Sequence, residues 1–190
     1  MSTEWHTEQR SRRDARPWLL LIAFVVVLLD RLSKIAVEHH ISMGSGKVII
    51  PKVFRITHVL NTGAAFSMFA ESASPLAVRI GLIIFSIIAA LAVLFMLVRY
   101  GKHWSAASVG FALVLGGAIG NLYDRAVLHY VIDFLEVHIG SYHWPDFNIA
   151  DSAISVGAVL LLVEMIWPSE SATDHADGSN KTANGDVLGA

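Results

Sequence analysis

The chain has 190 residues, of which 54% are hydrophobic and only 16% charged, and its mean hydropathy is +0.55. This composition is too apolar for an ordinary soluble domain and indicates an integral membrane protein. The formal net charge of −2 offers no basic surface for nucleic acid, and the absence of cysteine excludes disulfides, thiolate metal sites and a cysteine nucleophile.

Four apolar segments predict helices at about 18–37, 76–98, 104–125 and 150–167. A helix rises about 1.5 Å per residue, so about 20 residues cross the hydrocarbon core. We therefore predict an all-α membrane protein with four transmembrane helices. Residues 1–16 form an N-terminal tail, 17–167 the membrane domain, and 168–190 a polar C-terminal tail whose composition predicts disorder.

The first apolar segment follows an arginine-rich stretch, as a cleaved signal peptide would. However, Asp30, Arg31 and Lys34 occupy the place of a small-residue cleavage site. The segment is therefore predicted to be a retained spanning helix. Asp30 and Lys34 are spaced i, i+4 and can pair on one helical face, which reduces their cost near lipid.

The distribution of lysine and arginine predicts the orientation. Four arginines precede the first helix, whereas the loop at 126–149 has no lysine or arginine. Because positive charge favours the cytoplasmic side, we predict both termini in the cytoplasm and the first and third loops outside. Lys47, Lys52 and Arg55 in the first loop oppose this assignment. Residues 53–60 and 131–139 are predicted to form two short strands, a small extracytoplasmic β-element.

Polar residues converge at the outer ends of the predicted helices. They are Asp30, Lys34, Asn61, Asn121, Asp124, Arg125, Asn148 and Asp151. Several have purely structural explanations: Asn148 fits a helix cap three residues before Asp151, Asp124 fits an ion pair with Arg125, and Asn61 with Gly63 fits a turn. Glycines in the third helix fit close helix packing; they are Gly116, Gly117 and Gly120.

Asp133 has no such structural explanation, because it lies within the apolar run VIDF at 131–134. Ionisable groups at the edge of hydrocarbon are costly and usually mark function. Two carboxylates close together can divide acid and base roles in hydrolysis, and Asp151 is the natural partner. The residues alone leave Asp124, Glu136 and Asp146 as rivals for that second position.

A metal or serine site has little support in the sequence. His129, His138 and His143, with Asp133 and Asp146, share one loop, but their spacing matches no HExxH or similar ligand pattern. No GxSxG nucleophile motif is present either. We therefore expect neither a metal nor a cofactor.

Five motifs in order carry a family resemblance. They are LDRLSK (29–34), NTGAAF (61–66), GGAIGNLYDR (116–125), VIDF (131–134) and FNIADSAI (147–154). Together they resemble the lipoprotein signal peptidase family, also called signal peptidase II, over roughly 17–167. Each motif alone is weak, whereas five in this order are very specific.

The resemblance implies a bacterial inner-membrane aspartyl endopeptidase that removes the signal peptide from diacylglyceryl-modified prolipoproteins, cutting just before the lipidated cysteine. It implies that Asp133 and Asp151 are the catalytic dyad near the outer face, without cofactor or metal. The residues implied to line the site are Asn61, Gly63, Asn121, Arg125 and Asn148. The residues implied to support it are Asp30, Lys34, Gly117, Gly120 and Asp124. We expect a monomer whose partners are the prolipoprotein substrates and membrane lipid.

The main alternative is a proton-coupled membrane carrier, since intramembrane acids also relay protons. Asp30, Asp124, Asp133 and Asp151 would then line the path. A carrier should place its acids near the membrane midplane, often beside broken helices, whereas these acids are predicted at one edge. A small scaffold protein that packs partner helices is a further alternative, but it leaves Asp133 without a role.

Overall fold

The computed structural model describes residues 14–63 and 75–168. Its helices are α1 (Arg16–His40), α2 (Pro75–Tyr100), α3 (Ala106–Tyr123) and α4 (Ile149–Ile166). Its strands are β1 (Gly46–Ile50), β2 (Phe54–Asn61), β3 (Val131–Ile139) and β4 (Tyr142–Phe147). Most of the two predicted tails and the last three residues of the NTGAAF motif lie outside the described residues.

All four predicted helices are present, with each end within three residues of its predicted position. A proline in the first turn of α1 suits the helix start, where its missing N–H costs nothing. Ser105 caps α3 through a reciprocal capping box with Ser108. The predicted end of α3 differs: after Tyr123 the chain continues as a π-helical turn, Asp124–Leu128.

Three helical stretches in the described part of the chain are long and apolar enough to cross a membrane: Leu76–Tyr100, Ala106–Leu128 and Ile149–Ile166. Helix α1 has 25 residues, which is sufficient length. Its composition sets it apart, because its second half contains Asp30, Arg31, Lys34 and Glu38.

The β-element is larger than predicted. It is a four-stranded antiparallel sheet in the order β1-β2-β3-β4, so the hairpin between α1 and α2 pairs with the hairpin between α3 and α4. An all-α description is therefore incomplete. Strands β1 and β4 were not predicted. Strand β1 is short, and β4 contains Pro145, a residue that weakens the sequence pattern of a strand. A bulge between Ile56 and Val59 interrupts the regular pairing of β2 with β3.

Helix α3 packs against the other three helices, and its glycines allow the closest approaches. A Cβ added to Gly116 would lie 2.7 Å from the carbonyl oxygen of Ala23 in α1. At Gly117 it would overlap the carbonyl oxygen of Ala150 in α4. These backbones meet only because no side chain separates them, so the predicted packing role is confirmed.

A buried charge cluster joins α1 to α3 and α4. The Lys34 ammonium lies 2.7 Å from Asp30 Oδ2 and 2.7 Å from Asp124 Oδ2, and all three side chains are almost completely buried. The other oxygen of Asp30 accepts a hydrogen bond of 2.9 Å from the backbone N–H of Ala150. The predicted Asp30–Lys34 pair is thus confirmed, and it reaches both neighbouring helices.

The predicted ion pair between Asp124 and Arg125 is wrong. Asp124 pairs with Lys34, and its second oxygen lies 3.7 Å from Arg31. Consecutive residues in a helical turn point in different directions, so Asp124 faces α1 while Arg125 contacts Asn121 on its own helix.

The helix packing yields a matched test. We expect Gly117→Ala to lower the free energy of unfolding by about 1–3 kcal/mol, because the added methyl group overpacks the α3–α4 contact. Gly81→Ala should be neutral or slightly stabilising, since none of the described residues lies within 4 Å of the added carbon. Unfolding of both variants in the same detergent measures the difference. Equal stability of the two variants would contradict the close α3–α4 contact.

Candidate active site

Asp133 lies on β3, between two buried apolar neighbours, and is 4% exposed. Strand pairing places it opposite Val59 of β2. Asn61, at the end of β2, donates a hydrogen bond of 2.9 Å to Asp133 Oδ2. Asn148 donates one of 2.8 Å to Oδ1. Hydrogen bonds from two side-chain amides therefore replace much of the hydration that this carboxyl group loses on burial.

Asp151 lies in the first turn of α4. Its Oδ2 accepts from the backbone N–H of Asn148 at 3.2 Å, and its own N–H donates to Asn148 Oδ1 at 2.9 Å. This is a reciprocal capping box, so the predicted cap is confirmed. The other oxygen, Oδ1, accepts a hydrogen bond of 2.7 Å from Asn121 of α3.

Asn148 joins the two carboxyl groups. Its side-chain amide donates to Asp133, while its side-chain oxygen and backbone N–H hold Asp151. Asn121 extends the network, because its Oδ1 accepts from Lys34 at 3.2 Å and from Asn148 at 3.3 Å. The buried charge cluster and the two carboxyl groups thus belong to one hydrogen-bond network.

Both carboxyl groups border a cleft of about 710 Å³. The polar residues that line it include Asn61, Asn121, Arg125, Asp133, Asp146 and Asp151. Most of the remaining lining is apolar and comes from α2, α3 and α4. A mainly apolar cleft with a few convergent polar groups is the usual form of a small binding site.

Arg125 is placed at the cleft by the π-helical turn that follows α3. Its Nη1 donates to the carbonyl oxygen of Asn121 at 3.3 Å. Its buried Nε has no hydrogen-bond partner among the described residues. Such π-helical turns often occur at functional sites, and this one presents an unused donor next to two carboxyl groups.

The electrostatics separate Asp133 from an ordinary surface carboxyl group. Burial raises the pKa of Asp133 to about 7; hydrogen bonds from Asn61 and Asn148 oppose the shift, and the charge of Asp151 adds to it. A raised carboxyl pKa in a cleft is typical of groups that handle protons. Chemically, this arrangement can hold one proton on a carboxyl pair at neutral pH.

The three rivals for the second carboxylate are placed differently. Asp124 pairs with Lys34 in the buried charge cluster. Glu136 is engaged by Arg55 at 3.0 Å and by His138 at 2.6 Å. Only Asp146 reaches the cleft.

The remaining predicted residues lie around the network. The N–H of Gly63 donates to Asn61 Oδ1 at 2.9 Å, which forms the predicted turn and fixes the asparagine side chain. A Cβ added to Gly120 would lie 2.8 Å from Asp30 Oδ2. Gly120 thus leaves room for the carboxylate of Asp30, and Gly117 brings α4 close to α3.

Sequence reasoning missed the α2 side of the cleft and two aromatic residues of β4. The α2 residues are Leu82, Phe85, Ser86 and Ala89, and the β4 residues are Trp144 and Phe147. Helix α2 is apolar on all sides, so its sequence gives no sign of which face borders the cleft. The aromatic residues of β4 fit membrane-interface anchors equally well.

The chain is similar to known proteins over most of its length. A family model described as "Signal peptidase (SPase) II" matches residues 22–167. A lipoprotein signal peptidase of Pseudomonas aeruginosa (strain UCBPP-PA14) is 44% identical over 156 residues, covering 82% of this chain and 90% of that protein. One of Burkholderia mallei (strain SAVP1) is 43% identical over 148 residues, covering 78% and 86%.

Two solved structures, each titled a bacterial membrane enzyme structure by the in meso method, share the fold. The one at 2.3 Å resolution has a TM-score of 0.73 at 27% identity and covers 82% of this chain and 91% of its own. The one at 1.9 Å has a TM-score of 0.72 at 27% identity and covers 83% and 98%. By family match and by identity over most of its length, the chain belongs to the signal peptidase II family.

Proposed function

We propose that this peptidase is an aspartyl endopeptidase that removes the signal peptide from diacylglyceryl-modified prolipoproteins, cutting just before the lipidated cysteine. Asp133 and Asp151 are the catalytic pair. The observation that carries the proposal is the bridge through Asn148, which hydrogen-bonds both carboxyl groups at the edge of one apolar cleft. The names of the relatives support the substrate class.

The chemistry needs one proton on the pair. The ionised carboxylate takes a proton from water, and the resulting hydroxide adds to the carbonyl carbon of the scissile bond. The protonated carboxyl group donates its proton to the carbonyl oxygen. As the tetrahedral intermediate collapses, the C–N bond breaks and the leaving amine of the cysteine takes a proton from one carboxyl group. A hydroxyl group of the intermediate returns a proton to the other, so the pair regains its single proton. Each carboxyl oxygen retains acceptor capacity beyond its one amide contact.

The surrounding donors suit an extended peptide backbone. The Nε of Arg125, which has no hydrogen-bond partner among the described residues, and the asparagine amides can bind peptide carbonyl oxygens that water no longer reaches. The apolar residues of α2 and α4 suit the signal helix and the acyl chains. Asn61, Gly63, Asn121, Arg125 and Asn148 are therefore the proposed substrate-binding residues. The backbone around the scissile bond and the apolar parts of the substrate are thus bound by different walls of one cleft.

We propose that α1 is the fourth spanning helix. Its charged residues Asp30 and Lys34 are buried, whereas its exposed side chains include Trp18, Phe24, Leu29 and Leu32. Buried charges and exposed apolar side chains along this stretch suit lipid, and Glu38 is exposed only near the end of the helix. The protein is then a multi-pass protein of the bacterial inner membrane with both termini in the cytoplasm, and the sheet and the site lie near the outer face.

The carrier alternative finds less support in the arrangement of the acids. Asp30, Asp124, Asp133 and Asp151 belong to one cluster where the sheet meets the helices. Among residues 14–63 and 75–168, no series of acids continues along the bundle, as a proton path would need.

The central prediction concerns the carboxyl pair. Asp133→Asn and Asp151→Asn should each reduce cleavage of a purified diacylglyceryl-prolipoprotein by about a hundredfold or more, because each removes a proton-transfer group. Both variants should remain folded in detergent, since an amide has nearly the shape of the carboxyl group. Gel separation of precursor and product measures the rate.

The matched control is Asp146→Asn, which changes a third carboxyl group at the same cleft and should retain cleavage. Near-normal activity of either Asp133→Asn or Asp151→Asn would refute the pair.

The lipid requirement is tested with the precursor that lacks diacylglyceryl, which should be cut far more slowly. Equal cleavage of both precursors would leave a peptidase but remove the proposed lipid requirement.

The raised pKa of Asp133 predicts the basic side of the pH profile. With a carboxyl pKa of about 7, the pair keeps its shared proton below that pH and loses it above, so kcat/KM should fall as the pH rises through about 7. Asn61→Leu removes a donor that stabilises the ionised form. It should therefore raise the pKa and move the fall to higher pH. A fall at the same pH in both proteins would contradict this assignment.

The orientation can be tested with single cysteines because the chain has none of its own. Ser141→Cys, in the turn between β3 and β4, should react with a membrane-impermeant maleimide from outside intact inner membranes. Lys102→Cys, between α2 and α3, should react only after the membrane is opened. The reverse pattern would overturn the proposed topology.

A further inference from the structure

Four ionisable side chains meet on the β3–β4 hairpin beyond Asp133. They are Glu136, His138, His143 and Asp146. None has a part in the proposed cleavage. Sequence spacing gave no ligand pattern for them, because their proximity depends on strand pairing rather than on a helical repeat.

The hairpin register explains how they meet. Glu136 and His138 are two residues apart on β3, so their side chains lie on the same face of the sheet. His143 of β4 is paired directly opposite His138, which places both imidazoles on that face.

A bulge brings the fourth group to the same place. Between the pairs Val137–Trp144 and Leu135–Phe147, strand β4 contains one residue more than β3. This shift changes the alternation of β4, and His143 and Asp146 come together although they are three residues apart. Bulges commonly redirect a side chain in this way.

The distances are those of a compact donor set. The Nε2 atoms of His138 and His143 lie 2.6 Å and 3.6 Å from Glu136 Oε1. Asp146 Oδ1 lies 3.6 Å from His143 Nε2. Glu136, His138 and His143 each offer one donor atom, and these three atoms all lie within 4.8 Å of one another.

The charges favour a cation at this position. Glu136 Oε1 and Asp146 Oδ1 each lie 3.6 Å from His143 Nε2, so two carboxyl groups face the same imidazole. Asp146 Oδ1 is buried and has no hydrogen-bond partner among the described residues. Glu136 is buried, whereas His143 is exposed, so the set is anchored inside and open to solvent on one side.

We propose that Glu136, His138, His143 and Asp146 form a binding site for one divalent transition-metal ion of the Zn²⁺ class. Two imidazole nitrogens with carboxylate oxygens are donors that Zn²⁺ accepts in four-coordinate sites. Small side-chain movements bring the donors to bonding distance, and the hydrogen bond between His138 and Glu136 is exchanged for two metal bonds.

Arg55 is the competing cation. Its Nη1 donates to Glu136 Oε1 at 3.0 Å, and its side chain is 40% exposed. Glu136 has a second carboxylate oxygen to which the guanidinium can move when the ion takes the first. A positive charge so close nevertheless weakens cation binding. Removal of the Arg55 charge should therefore strengthen it.

The ion would act on structure rather than on chemistry. His143 and Asp146 flank Trp144, and both Trp144 and Asp146 line the cleft. An ion shared by β3 and β4 would fix this wall of the cleft against the strand that bears Asp133. Metal binding is measured directly, so its outcome is independent of the proposed cleavage reaction.

The test uses the full-length chain purified without a polyhistidine tag and stripped with a chelator. Titration with ZnCl₂, followed by calorimetry and by metal analysis after gel filtration, should give one Zn²⁺ per chain and a raised Tm. The double variant H138Q/H143Q should bind at least about tenfold more weakly, since it loses both imidazoles. Arg55→Gln should bind more tightly than the parent.

The matched control is H39Q/H40Q, which changes two exposed histidines at the end of α1 and should bind like the parent. Zinc binding that survives in H138Q/H143Q, or its absence from the parent, would overturn the site. If the double variant fails to fold, the parent loaded with Cu²⁺ decides the matter by electron paramagnetic resonance. Nitrogen hyperfine splitting from two imidazoles supports the site, and its absence refutes it.

Discussion

The cost of burying charge at one end of an apolar helix bundle constrains the whole structure. A buried ion is tolerated only when partners and hydrogen bonds replace its water, and removal of one partner typically costs several kcal/mol. Lys34 meets this requirement for two carboxylates at once. Lys34 also donates to Asn121, and Asn121 donates to Asp151, so the charge cluster is connected to the carboxyl pair. The network connects α1, α3 and α4, and the glycines of α3 allow these helices to approach closely enough to form it.

The same constraint explains why asparagine is so prominent around Asp133 and Asp151. A lysine or arginine placed against each carboxyl group would hold its pKa low and fix it in the ionised form. A neutral amide donates a hydrogen bond without adding a charge, so a proton can still be shared. Asn61, Asn121 and Asn148 therefore position the pair while leaving its protonation free to change.

Much of this arrangement could be predicted from sequence, because long apolar runs and the cap at Asn148 are local signals. The family motifs supplied the pairing of Asp133 with Asp151, which residue types alone left open. The partner of Asp124 could not be predicted, since it depends on how α1 packs against α3. Nor could the meeting of Glu136, His138, His143 and Asp146, because it depends on the pairing of β3 with β4 and on a one-residue bulge in β4. Contacts between distant elements, unlike the periodicity of apolar residues, produce no local pattern in the sequence.

Asn148 has two functions in one residue: it caps α4 and bridges the carboxyl pair. The cap exists only when α4 is helical, and the bridge only when β3 lies beside the start of that helix. During biogenesis, a chain whose last helix has not yet formed thus lacks the assembled pair. In a newly made molecule, formation of the last helix and assembly of the two carboxyl groups are therefore one event.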